Sequence, residues 1–142
     1  MLRILNSKDP DYPDLLELRN WVLRMPLGMD IRNDDLSDEA DCQFIAFYSD
    51  NGQMTGCIKI KKIDNKTYQF QQMAVHQDYQ GQGIGTTLLI QAEALIKKQG
   101  GKNVIIEARE YAIPFYKNNG YRDYGETYKK INIPHRSMKK SI

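Results

Sequence analysis

Only two cysteines, Cys42 and Cys57, occur in 142 residues, too few for a disulfide framework, so the chain reads as a protein of a reducing cytoplasm. Long apolar runs are missing as well. None approaches the ~20 residues that span a bilayer, and residues 1–5 are too short an apolar stretch for a signal peptide. Excess charge of one sign is also absent. With a net charge of +2 the chain has no field to hold a nucleic acid, and the basic cluster Lys129, Lys130, Arg136, Lys139 and Lys140 reads as a solvated edge. Cysteine, histidine, aspartate and glutamate fall at no recognised metal-ligand spacing, so no metal is expected. Repeats and low-complexity tracts are lacking, and the length suits one domain, residues 1–142, with its own hydrophobic core.

What is present is a mixture of strand and helix signals. Residues 2–5 form a short strand, and Pro10 and Pro13 open a helix that carries Leu15, Leu18, Trp21, Val22 and Met25 at helical spacing until Pro26 and Gly28 stop it. Asp30, Asp34, Asp35, Asp38, Glu39 and Asp41 follow. This acidic stretch reads as a solvated loop with helix-capping carboxylates, the other reading being attraction of a cationic amine. Residues 43–48 and 54–63 predict a hairpin around Asp50-Asn51-Gly52, and Asp64-Asn65 turns the chain into a third strand over 67–75.

Residues 83–98 repeat Ile84, Leu88, Leu89, Ala92, Leu95 and Ile96 on one helical face before Gly100-Gly101. Residues 104–108 are mostly apolar and suit an interior strand, reached by a right-handed crossover and parallel to its neighbour. A short helix over 112–119, with Pro114 in its first turn and Gly120 as its cap, leaves residues 121–138 for two more strands. Cys42 and Cys57 fall in strand-like contexts and read as small core residues.

The segment richest in chemistry is Gln80-Gly81-Gln82-Gly83-Ile84-Gly85-Thr86, between the strand ending at Val75 and the long helix. Glycines let a backbone approach a ligand closely, and the helix that follows offers unpaired N–H groups to an anion, so the turn suits a phosphate. A nucleoside-triphosphate loop is excluded because Thr86 follows Gly85 where a lysine is needed. A dinucleotide fold fits poorly: Thr86 replaces the third small residue, and too little chain remains for a doubly wound sheet.

Gln80-x-x-Gly83-x-Gly85, after Met73-Ala74-Val75, resembles the acyl-CoA pyrophosphate loop of the GNAT superfamily of N-acyltransferases. Ala112-Ile113-Pro114-Phe115-Tyr116-Lys117-Asn118-Asn119-Gly120-Tyr121 is similar to that superfamily's Ala-x-x-Phe-Tyr-x-x-x-Gly-Phe/Tyr element, in the expected order. Arg19-Asn20-Trp21-Val22-Leu23-Arg24 and Ile133-Pro134-His135-Arg136-Ser137-Met138 look like the ElaA- or YjcF-like branch; their other readings are a core-facing helix stripe and an edge strand with an ordinary histidine.

The resemblance implies an α+β domain with a mixed, curved sheet of six or seven strands and helices on both faces. It implies acetyl transfer from acetyl-CoA, a co-substrate, to a primary amine on a small molecule or peptide. Met73, Ala74 and Val75 would carry the pantetheine arm, Gln80, Gly81, Gln82, Gly83, Ile84, Gly85 and Thr86 the pyrophosphate, with Phe115 beside the coenzyme. Tyr116 matches the frequent general acid, the other reading being an aromatic pair with Phe115 that packs the short helix. Two positions depart from the pattern. The glutamate that often serves as base is replaced by Gln69, Gln71 and Gln72, which leaves Glu107, His135 or a water relay, and Arg109 stands where an asparagine commonly contacts coenzyme, though an arginine could meet a phosphate instead. A non-catalytic acyl-CoA-binding or regulatory module is the alternative. His76 reads as a turn residue, and a homodimer through an exposed strand edge is compatible with the sequence.

Overall fold

A computed structural model describes all residues, 1–142. Seven strands form one mixed sheet in the order β1-β2-β3-β4-β5-β7-β6, where β1 is Leu2–Leu5, β2 Gln43–Tyr48, β3 Met54–Lys62, β4 Thr67–Val75, β5 Asn103–Arg109, β6 Arg122–Lys130 and β7 Ile133–Ser141. All neighbours are antiparallel except β4 and β5, which are parallel, as the crossover helix α2 (Ile84–Lys98) between them requires.

Strand alternation puts helices on both faces. Along β2, Ile45 joins a cluster with Leu88, Leu89, Ala92 and Ile96 of α2, whereas Phe44 and Ala46 join Leu15 and Leu18 of α1 (Tyr12–Arg19) on the other side. Each large α2 side chain withdrawn from water contributes roughly 1.5–3 kcal/mol, so this stripe anchors the helix. The short helix α3 (Ile113–Asn118) covers the β6 end of the sheet.

Two expectations need correction. The first helix does not keep one face to Met25: after Arg19 it widens into a π turn, Asn20–Arg24. The wider turn rotates the stripe, so Leu23 and Arg24 go inward while Trp21 and Met25 stay 47% and 50% exposed. The basic cluster is a solvated edge only at Lys129 and Lys130, which are exposed on β6; β7 inserts between β5 and β6 and buries Met138. Its cations find partners: Lys140 meets Glu93 and the Asn119 carbonyl, and Arg136 meets Asp123. The free edges are β1 and the strongly charged β6, whose charges discourage edge pairing.

Candidate active site

The site begins where two strands part. β4 and β5 pair from Thr67–Asn103 to Phe70–Ile106 and no further; beyond that β4 runs on to Val75 with β3 while β5 stays with β7. The cause is a bulge in β4. Between the pairs Lys59–Gln71 and Cys57–Ala74, both Gln72 and Met73 stand opposite the single residue Ile58, and Gln72 takes φ 48°, an uncommon conformation for a side-chain-bearing residue. The extra residue inverts the alternation. Tyr68 and Phe70 face α2 before the bulge, but after it Ala74 turns toward α1 and Met73 and Val75 take the α2 side.

A buried polar network holds the bulge. Arg19 Nε donates to Gln72 Oε1 at 2.6 Å, Arg19 Nη1 pairs with Glu39, Lys59 pairs with Glu39 from β3, and Tyr12 donates to Glu39 at 2.8 Å. Glu39 and Asp38 therefore turn inward, and the acidic stretch is only partly the solvated loop expected; Asp30 does cap the next turn by accepting from Arg32 N. Burial raises the Glu39 pKa, but Arg19 and Lys59 outweigh it and leave the carboxyl below its ordinary range.

The parted strands open onto a cavity of about 530 Å³, closed on other sides by the Asn20–Arg24 turn and the β6–β7 hairpin. Tyr116, Glu107, His135, Arg109 and Met73 all line it. Tyr116 packs edge-on against Phe115 and Tyr121, with ring centroids 5.1 and 5.8 Å away, as its packing reading expects. Its hydroxyl has no hydrogen-bond partner in the protein, and burial together with Tyr111 pushes its pKa up to about 12.

The glycine turn lies beyond the end of β4. Gly83 sits at φ 80° as the N-cap of α2, and no side chain caps the helix, which leaves its first N–H groups directed outward. Gly85 fits closely against its neighbours: a Cβ there would stand 3.3 Å from Phe115 Cζ and 3.5 Å from Met73 Sδ. Gln80 donates to the Val75 carbonyl at 3.1 Å, tying the turn to the strand. The turn itself does not line the cavity; Met73 reaches both.

A profile of the acetyltransferase (GNAT) domain matches residues 30–142. The chain belongs to the GNAT acetyltransferase family. A Bacillus subtilis (strain 168) protein with a provisional acetyltransferase name is 27% identical over 137 residues, 94% of this chain and 92% of the relative. The crystal structure of Escherichia coli ElaA superposes with TM-score 0.82 at 20% identity, over 98% of this chain and 97% of that one. A GNAT acetyltransferase from Elizabethkingia anophelis with acetyl-CoA bound gives TM-score 0.73 at 18% identity, over 100% and 97%.

Within this GNAT domain the two base candidates differ. Glu107 accepts from Lys130; burial opposes ionisation, but that hydrogen bond and charge hold its pKa below the ordinary carboxylate range. His135 is buried, stacks on Tyr128, and places Nδ1 2.8 Å from the Ile133 carbonyl. A carbonyl can only accept, so Nδ1 carries the proton and Nε2 is left as the acceptor. Arg109 donates to the Leu23 carbonyl at 3.1 Å. His76 behaves as a turn residue, its Nδ1 accepting from Asp78 N. Sequence reasoning placed Arg19 and Arg24 in the branch-like motif, Asp34 and Glu39 in the acidic stretch and Lys130 in the basic cluster, but gave none of them its partner, and it missed Tyr128 and Lys59 altogether. No local signal marks these pairings, since Arg19 meets Gln72 across 53 residues and Lys130 meets Glu107 across 23.

Proposed function

We propose that this GNAT domain transfers an acetyl group from acetyl-CoA to a primary amine by direct attack in a ternary complex. The observation that carries the reading is the gap between β4 and β5, which opens onto a cavity holding an unpartnered tyrosine hydroxyl. The coenzyme pyrophosphate would sit on the uncapped N-terminus of α2, and the pantetheine arm would enter the gap beside Met73 and Val75. The neutral amine nitrogen then bonds to the thioester carbon and the carbon–sulfur bond breaks. One proton leaves nitrogen and one ends on the coenzyme sulfur, so R–NH₂ and acetyl-S-CoA give R–NH-acetyl and HS-CoA.

We assign proton acceptance to His135 Nε2, which the contact of Nδ1 with the Ile133 carbonyl leaves as an acceptor. Glu107, held ionised against Lys130, would take a proton from an ammonium of reference pKa about 10.4 only steeply uphill. Tyr116 supplies a hydrogen bond to the departing sulfur. A phenol near 12 does not hand its proton outright to a thiolate whose reference pKa is about 8.5, a deficit of ~5 kcal/mol, so the ammonium provides the net proton. We place the protein in the cytoplasm, a reading supported by Cys42 and Cys57, both buried and unbridged.

Acetyl-CoA with a panel of primary amines tests the proposal. Amine-dependent release of the coenzyme thiol, with a product heavier by one acetyl group, is the expected result. Tight acetyl-CoA binding with no thiol release over the whole panel would favour the non-catalytic module, which the absence of a carboxylate on β4 at Gln69, Gln71 and Gln72 supports.

A further inference from the structure

The cavity is charge-balanced in an uneven way. Its cations are Arg24, Arg109 and Lys130, and its carboxylates are Asp34, Asp35 and Glu107. Arg24 grips Asp34 through three hydrogen bonds of 2.8 to 3.2 Å, and Lys130 is paired with Glu107. Arg109 and Asp35 remain. Arg109 forms no ion pair and spends one N–H on the Leu23 carbonyl, leaving most of its five donors for something else. Asp35 is exposed at the mouth, where it accepts from Ser37 N and has no cationic partner.

We infer that Arg109 binds a carboxylate on the acceptor, so that the acetylated amine belongs to an amino carboxylate, a molecule carrying one cation and one anion. This rests on the transferase reading above and assigns Arg109 to the acceptor rather than to a coenzyme phosphate. The guanidinium meets the cavity with Leu23 and Arg24 on one side, whereas residues 80–86 do not reach that cavity. A planar guanidinium matches a carboxylate with two parallel hydrogen bonds. A dianionic phosphate fits less well, since only one uncompensated cation faces it among three carboxylates. Asp35 at the mouth attracts the ammonium end and repels acceptors that are purely anionic.

The test compares glycine, β-alanine and γ-aminobutyrate with their primary amides, which keep the amine and lose the charge. Wild-type protein should prefer at least one carboxylate over its amide by about 10–100-fold in kcat/KM, the strength of a charge-assisted hydrogen bond. Arg109→Met should abolish the preference and Arg109→Lys should keep part of it. Because the readout is a ratio within each variant, loss of the Leu23 contact or partial misfolding cancels. In parallel, N-acetyl-β-alanine and its amide are titrated calorimetrically into the protein with CoA, as are the N-acetyl derivatives of the other two pairs. Carboxylate-selective binding lost in Arg109→Met supports the assignment even if no amine turns over, so failure of the transferase reading is seen separately. No charge preference in any pair, a preference that survives Arg109→Met, or a stronger response to O-phosphoethanolamine would overturn it.

Discussion

Tyr116→Phe lowers kcat by about 10²–10³-fold with an authentic amine while the affinity for acetyl-CoA changes little. The size follows from the environment of the hydroxyl. It lines the half-open cavity without a protein partner, so a thiolate leaving beside it gains a hydrogen bond from a donor already in place. Removal of one oxygen leaves the ring contacts with Phe115 and Tyr121 intact, so the fold is undisturbed. Because burial lifts this phenol to about 12, it keeps its proton below about pH 11, and no loss of rate from its ionisation is expected near neutrality. Full kcat in a folded Tyr116→Phe protein would leave the tyrosine as packing alone.

Glu39→Ala destabilises the protein by about 3–5 kcal/mol, the effect of stranding buried charges. Arg19 and Lys59 both lean on this carboxylate from inside the fold. Lys59 keeps Asp38 and Arg19 keeps Gln72, which favours the lower end of the range. A denaturant midpoint that shifts at constant slope reads the loss. The pH dependence has a definite sign. The folded pKa of Glu39 lies below its unfolded value, so its contribution is complete above the ordinary carboxylate range, about 4.3, and disappears as pH falls through the lower folded value. The mutant lacks that acid-side component. The double change Arg19→Met with Glu39→Met should recover much of the stability, yet it removes the clamp on Gln72 and should impair turnover. Turnover equal to wild type in that double variant would mean that the bulge holds itself.

Local signals carried most of the fold to the sequence reader. The hairpin, the meander, α2 and the parallel β5 all rest on short-range periodicity and turn chemistry, and each stands where expected. The glycine turn was legible because its requirement is local as well: Gly83 needs a positive φ. The bulge at Gln72 was not legible. A glutamine does not announce φ 48°, and the partners that hold it come from α1, the acidic stretch and β3. The π turn after Arg19 escaped for a related reason, since Leu15, Leu18 and Val22 satisfy ordinary helical spacing and only the packing of Leu23 and Arg24 shows the extra residue. The place of β7 inside the sheet depends on strand order, which hydropathy does not encode.

Calorimetric titration of acetyl-CoA into wild-type protein and Gly83→Val, with NADH as comparison, tests the central claim most directly. A side chain at Gly83 would point into open space from a conformation a β-branched residue resists, so it should disturb the turn and not the core. The predicted result is micromolar acetyl-CoA binding by the wild type, binding weaker by about tenfold or more in folded Gly83→Val, and no response to NADH. No acetyl-CoA binding, or equal binding by the two proteins, would contradict an acyl-CoA site at the head of α2.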